Sequence, residues 1–103
     1  MYREHKLSEL KYSDLETEIK FEIAGARADG IQLLNLIIED TNDGKTLPSV
    51  KRILKNMEKS KAIEFYVESS RLNESDTKVQ FLYNKFNDYI KLDEKLPTIY
   101  IKL

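Results

Sequence analysis

Residues 45–67 constrain the fold more than any other stretch, because two elements of different period meet there with almost no gap. Val50, Ile53, Leu54 and Met57 recur at helical spacing, which predicts a helix over 48–60 with Pro48 in its first turn. Ala62-Ile63-Glu64-Phe65-Tyr66-Val67 follows directly, rich in β-branched and aromatic residues, and reads as a strand with Ile63, Phe65 and Val67 on one face. At 100° per residue, Lys51, Arg52, Lys55 and Lys59 fall together on the side of the helix opposite its apolar stripe. The apolar side is therefore expected to form the spine of a core, and the cationic side to face outward.

The flanking segments supply the rest. Residues 1–12 carry Tyr2, Leu7, Leu10 and Tyr12 among charges with no clean period, and read as an arm laid on the core. Ser13-Asp14-Leu15-Glu16 fits a capping box. From there Leu15, Ile19, Ile23, Ala26, Gly30, Leu33/Leu34 and Ile37 step by three or four residues, predicting over 13–40 one long helix, or two nearly collinear ones bent at Asp29-Gly30. The small residues Ala24 to Ala28 suggest close approach of another helix. Asp40-Thr41-Asn42-Asp43-Gly44 is a turn by composition. Beyond a polar loop, Ser75 or Asn73 can cap a helix carrying Val79, Leu82, Tyr83, Phe86, Tyr89 and Ile90, and Pro97 opens a last strand, Thr98 to Leu103.

The expected architecture is thus a single α+β domain over 1–103, mostly helical, with three to four helices and a small two-stranded sheet (strands near 62–68 and 98–102). A helix between the two strands suits a parallel crossover. Helices must then cover one face of so small a sheet, and its free edges allow homodimerisation through the C-terminal strand.

Composition excludes several chemistries. There is no cysteine, which removes disulfides and thiolate metal sites. His5 is the one histidine and lies in the N-terminal arm, so the usual nucleophile–base arrangements and His-rich metal centres have too few parts. Glu18 and Glu22 stand one turn apart, on what reads as a solvated helix face. A calcium loop ending in the right place would have Val50 where its bidentate glutamate belongs, and a phosphate-binding loop ending Gly44-Lys45-Thr46 would have Glu39 in place of its first glycine. No catalytic residue, metal or cofactor is expected. The apolar runs fall far short of the roughly 20 residues that cross a bilayer, and Met-Tyr-Arg-Glu-His-Lys carries no signal-like apolar stretch. The expectation is a cytoplasmic protein that engages no membrane.

Charge directs attention to partners. Residues 1–44 hold five Lys and Arg against ten Asp and Glu; residues 45–61 hold six against one; residues 62–103 hold six against seven. With 13 lysines to four arginines and abundant Ile and Asn, the chain has the composition of an AT-rich genome, such as that of a bacterium, phage or other mobile element. The reading that fits is a non-enzymatic small regulatory or inhibitory protein acting by protein–protein interaction, with Lys51, Arg52, Lys55 and Lys59 as the candidate surface for an acidic partner. The plain alternative is that these four are the solvated side of an amphipathic helix. The run Pro48 to Val67 also resembles the recognition helix and first wing strand of winged helix-turn-helix proteins. That resemblance implies a nucleic-acid-binding regulator, with Ser49, Lys51, Arg52 and Lys55 facing a groove and Lys59 and Lys61 on phosphates. Residues 40–47 hold only a turn where the family has a helix. A third reading is a small-molecule or nucleotide binder whose basic face holds phosphates near Tyr66 or Tyr100.

Overall fold

The first helix stops at Gly30 instead of running on to Asp40, and this changes the architecture. The computed structural model describes residues 2–8, 11–39, 44–91 and 95–103. In chain order it forms β1 (Tyr2–Leu7), α1 (Tyr12–Ala28), β2 (Leu33–Ile38), α2 (Thr46–Lys59), β3 (Phe65–Glu68), α3 (Thr77–Phe86) and β4 (Thr98–Lys102), with short 3-10 turns at Ser69–Arg71 and Asn87–Tyr89. The strands make one mixed sheet in the order β1-β2-β4-β3. The α+β class stands, but the sheet has four strands, not two.

Two strands were concealed by their own side-chain patterns. At the end of α1, Gly30 donates to the Arg27 carbonyl and Ile31 to the Ala26 carbonyl, while Gly30 itself sits at φ +73. This is the left-handed stop in which glycine carries no Cβ penalty. Leu33, Leu34, Leu36 and Ile38 beyond it are fully buried, since β2 is flanked by strands on both edges and covered on both faces. A strand so enclosed reads as a continuous apolar run without alternation, and its phase happened to continue that of α1. β1 is concealed for the opposite reason: it is a sheet edge, wet on one side and rich in charge. It pairs in parallel with β2, Tyr2 opposite Leu33 through Leu7 opposite Ile38. The expected capping box does not form. α1 begins one residue early, its N-cap is Lys11, and no side chain caps it.

The layers follow from strand alternation. Leu34, Leu36, Ile38, Ile99 and Ile101 point to one face, where they pack with Leu15, Ile19 and Ile23 of α1 and Val50, Ile53, Leu54 and Met57 of α2. Leu33, Phe65, Val67 and Tyr100 point to the other, against Val79, Leu82 and Phe86 of α3. Helices therefore cover both faces, where one was expected. Ile63 belongs to the first cluster and Phe65 and Val67 to the second, so the predicted common face of these three is not observed. Asn35 is the polar exception on β2: its Nδ2 donates to the Tyr89 carbonyl at 3.3 Å, while its buried Oδ1 has no partner among the described residues.

Connectivity departs from expectation as well. β3 and β4 are antiparallel neighbours, so the helix between them is not a parallel crossover; the parallel unit is β1-α1-β2. β4 pairs on both sides, with β2 and with β3, so the C-terminal strand offers no free edge for a second copy. α3 is capped by Asp76, which accepts from the Lys78 amide at 2.6 Å, not by Ser75 or Asn73. The proposed turn at 40–43 lies outside the described residues.

Of the small run in α1, Ala26 is buried, but its glycine is not at a tight contact. Ala24 and Ala28 are exposed, and a Cβ on Gly25 would meet only the Arg3 guanidinium at 3.9 Å, an ordinary contact. Gly25→Ala is accordingly expected to stabilise the protein by about 0.5–1 kcal/mol, the helix-interior difference between the two residues. Gly30→Ala is expected to destabilise it by about 1 kcal/mol, the cost of a Cβ in the left-handed region. Urea melts of the two single variants test this contrast. Equal signs would contradict the described end of α1.

Candidate functional site

α2 lies on one face of the sheet and α3 on the other, and both overhang β3, the terminal strand. Between them is a cleft of about 270 Å³ lined by Lys51, Lys55 and Glu58 of α2, Tyr66, Val67 and Glu68 of β3, Arg71 of the following turn, and Asp76, Lys78 and Val79 at the start of α3. Amphipathicity sets the α2 wall. Val50, Ile53, Leu54 and Met57 are held in the core, which turns Lys51, Lys55 and Glu58 toward the edge of the sheet.

Four cations and three carboxylates share this cleft. Lys51 Nζ lies 3.0 Å from Glu68 Oε2, and Lys78 Nζ lies 3.4 Å from Glu58 Oε2. The second pair joins α3 to α2. Those helices are on opposite faces of the sheet, so the contact passes around the outer edge of β3. Lys78 also stands 5.8 Å over the Phe65 ring. Arg71 is bound by Glu74 at 3.0 Å, which pushes its guanidinium even further toward the charged form. Lys55 makes no ion pair among the described residues. Such half-exposed pairs contribute at most about 1 kcal/mol each, so the cleft is held by its apolar floor and its charges are free to exchange partners.

Tyr66 forms part of the floor. Partial burial raises its phenol above the ordinary tyrosine value, the Glu58 carboxylate adds to this, and Lys51 and Arg71 oppose it. The folded state thus prefers the neutral phenol more strongly than the unfolded chain does. That contribution to stability is complete below about pH 10, the unfolded value, and is lost as pH rises through the higher folded value. In Tyr66→Phe this part of the alkaline destabilisation is expected to disappear, along with one late-ionising phenol in a tyrosinate absorbance titration. Loss of a phenol that ionises at the ordinary tyrosine value would instead show that Tyr66 is solvated.

Of the four predicted site residues, the structure brings Lys51 and Lys55 to the cleft and leaves two outside it. Arg52 stacks over Tyr12 at 5.4 Å, toward α1. Lys59 is exposed on the last turn of α2 and does not line the cleft. Arg71, Lys78, Glu58, Glu68 and Asp76 were missed. The charge of residues 62–103 is nearly balanced, and only folding places Arg71 and Lys78 opposite α2. The two tyrosines of the nucleotide reading separate: Tyr66 is in the cleft, whereas Tyr100 is fully buried in β4. The winged-helix likeness does not extend to the element order: among the described residues strand β2 precedes α2, and β3 leads to a 3-10 turn and α3.

His5 is also not in a loose arm. On β1 it meets two α1 carboxylates, Nε2 at 2.8 Å from Glu18 Oε1 and Nδ1 at 3.6 Å from Glu22 Oε2. The two glutamates expected to be merely solvated thus join the Arg3–Asp29 pair and buried Leu7 in holding α1 to the β1 edge. No group of residues suited to a metal ion occurs among the described residues, and no helix among them is long and apolar enough to cross a membrane. Comparison of the chain with protein-family models, with curated proteins and with solved structures finds no match.

Proposed function

We propose that the protein is a non-enzymatic regulator or inhibitor of the cytoplasm that works by seating a protein partner in the α2–β3–α3 cleft. The observation that carries this reading is the mixed charge of the cleft beside the terminal strand β3: Lys51, Lys55, Arg71 and Lys78 are interspersed with Glu58, Glu68 and Asp76. A nucleic-acid groove favours cations throughout, because affinity comes from neutralising phosphates and each nearby carboxylate opposes it. Bound phosphates of a nucleotide would meet the same three carboxylates without the main-chain hydrogen bonds that a protein segment can add at a sheet edge. A protein surface carries both signs and apolar contacts, and can pair with both.

The test is affinity capture from the native cell with the wild-type protein and a Lys51→Glu/Lys55→Glu variant, beside titration with duplex DNA at two salt concentrations. The expected result is one protein retained by the wild type and lost by the variant, with no DNA bound at low salt. Salt-sensitive DNA binding lost in the same variant would replace this reading with the nucleic-acid one.

A further inference from the structure

We infer that the partner enters the cleft as an extended peptide segment bearing acidic side chains, which adds a fifth strand to the sheet beside β3. This rests on the cleft reading above and specifies its occupant. β3 is the terminal strand of the order β1-β2-β4-β3, so among the described residues no strand lies along its outer edge. An edge strand presents main-chain donors and acceptors that template another extended chain. The cleft runs along this edge, with Tyr66, Val67 and Glu68 as its floor.

Charge selects what can lie there. The side chains of an added strand alternate between the two faces of the sheet. On one face they meet the α2 wall, with Lys51 and Lys55; on the other they meet Lys78, which stands over the Phe65 ring. Acidic residues at neighbouring positions of the peptide would therefore each find a cation. Lys55, with no ion pair among the described residues, is open to the first of them. The other terminal strand is a poor competitor. On its α1 side stand Glu18 and Glu22, against His5, and these carboxylates oppose an acidic peptide.

The resident Glu58 then acquires a role. By reaching Lys78 around the edge of β3, its carboxylate occupies the position that a peptide carboxylate would take, and so keeps the edge covered while the protein is alone. Neutralising Glu58 removes a competitor, so Glu58→Gln binds an acidic strand more tightly, by about two- to fivefold for an exposed pair worth up to about 1 kcal/mol. A purely structural role for Glu58 would not tighten binding.

The experiment uses a capped peptide with adjacent glutamate pairs separated by valines, so that glutamates face both sides of an added strand, with the matching lysine peptide as control, titrated against the full chain by NMR with amide exchange. The expected result is salt-sensitive binding of the glutamate peptide alone, slowed exchange of main-chain amides within 65–68, tighter binding by Glu58→Gln, and at least tenfold weaker binding by Lys55→Glu/Lys78→Glu. Binding that leaves the β3 amides unprotected overturns strand addition while the cleft reading survives. Failure of both peptides, or equal binding of both, also overturns the inference. The cleft reading falls separately, if the partner captured from cells is retained equally by the Lys51→Glu/Lys55→Glu variant.

Discussion

Leu36→Ala is expected to lower stability by about 3–5 kcal/mol, the upper range for truncating a fully enclosed leucine, whereas Ile37→Ala is expected to lower it by about 1 kcal/mol. The contrast reports on the nature of residues 33–38. In a helix continuing the phase of Leu15, Ile19 and Ile23, Ile37 lies on the buried stripe and Leu36 is turned about 100° away from it. In the strand the order is reversed. Leu36 has no exposed surface, sits between His5 of β1 and Ile99 of β4, and packs in the layer formed with α1 and α2. Ile37 points to the other face and is only half-buried. Urea unfolding followed by circular dichroism measures both. A larger loss at Ile37 than at Leu36 would contradict the strand and its register.

Tyr100→Ala is expected to be at least as damaging, about 3–5 kcal/mol, and Tyr100→Phe to cost only about 1 kcal/mol. The ring has no exposed surface and lies within the cluster of Phe65, Val67, Leu82 and Phe86 that joins the sheet to α3. Its removal leaves a cavity that neighbours on two strands and a helix cannot jointly close. The hydroxyl is a smaller matter. It donates to the Lys91 carbonyl at 3.2 Å and accepts from the Lys91 amide at 3.3 Å, and water can replace it at that exposed residue. In the phenylalanine variant, faster amide exchange confined to residues 87–91 accompanies the small global loss. Since native domains are stable by only about 5–15 kcal/mol in all, the alanine variant is expected to lose a large part of that stability and to unfold at markedly lower urea. Equal losses in the two variants would mean that the hydroxyl, not the ring, carries the contact.

The legible parts of the chain were those where one face is dry and the other wet. α2 was found within two residues at either end, and its buried residues are Thr46 and the four of the predicted stripe, Val50, Ile53, Leu54 and Met57. β4 was found at Thr98–Lys102, and α3 with Val79, Leu82 and Phe86 buried as spaced, although it ends at Phe86, before Tyr89 and Ile90. Each of these has a local cue, either a helical period or a proline followed by β-branched residues. β1 and β2 had no such cue. β2 is apolar on both faces, so alternation is lost; β1 is charged, so hydrophobicity is lost. Strand pairing involves the main chain, and these two strands recognise each other through hydrogen bonds that no side-chain pattern encodes.

The candidate site divides along the same line. The sequence by itself determined that helix 48–60 is amphipathic and that Lys51, Arg52, Lys55 and Lys59 face away from its core, because a helix's angular order is set by its own repeat. Only the tertiary structure decided which of those cations share a cleft. Placing β3 at the end of the sheet and α3 on its far face brought Arg71 and Lys78 opposite Lys51 and Lys55, and brought Glu58 and Glu68 in to balance them. Arg52 was left stacked on Tyr12 and Lys59 in solvent. The physical reason is range: helical periodicity acts over a few residues, whereas the partners of a charge are chosen by packing between segments about 20 residues apart, as Glu58 and Lys78 are.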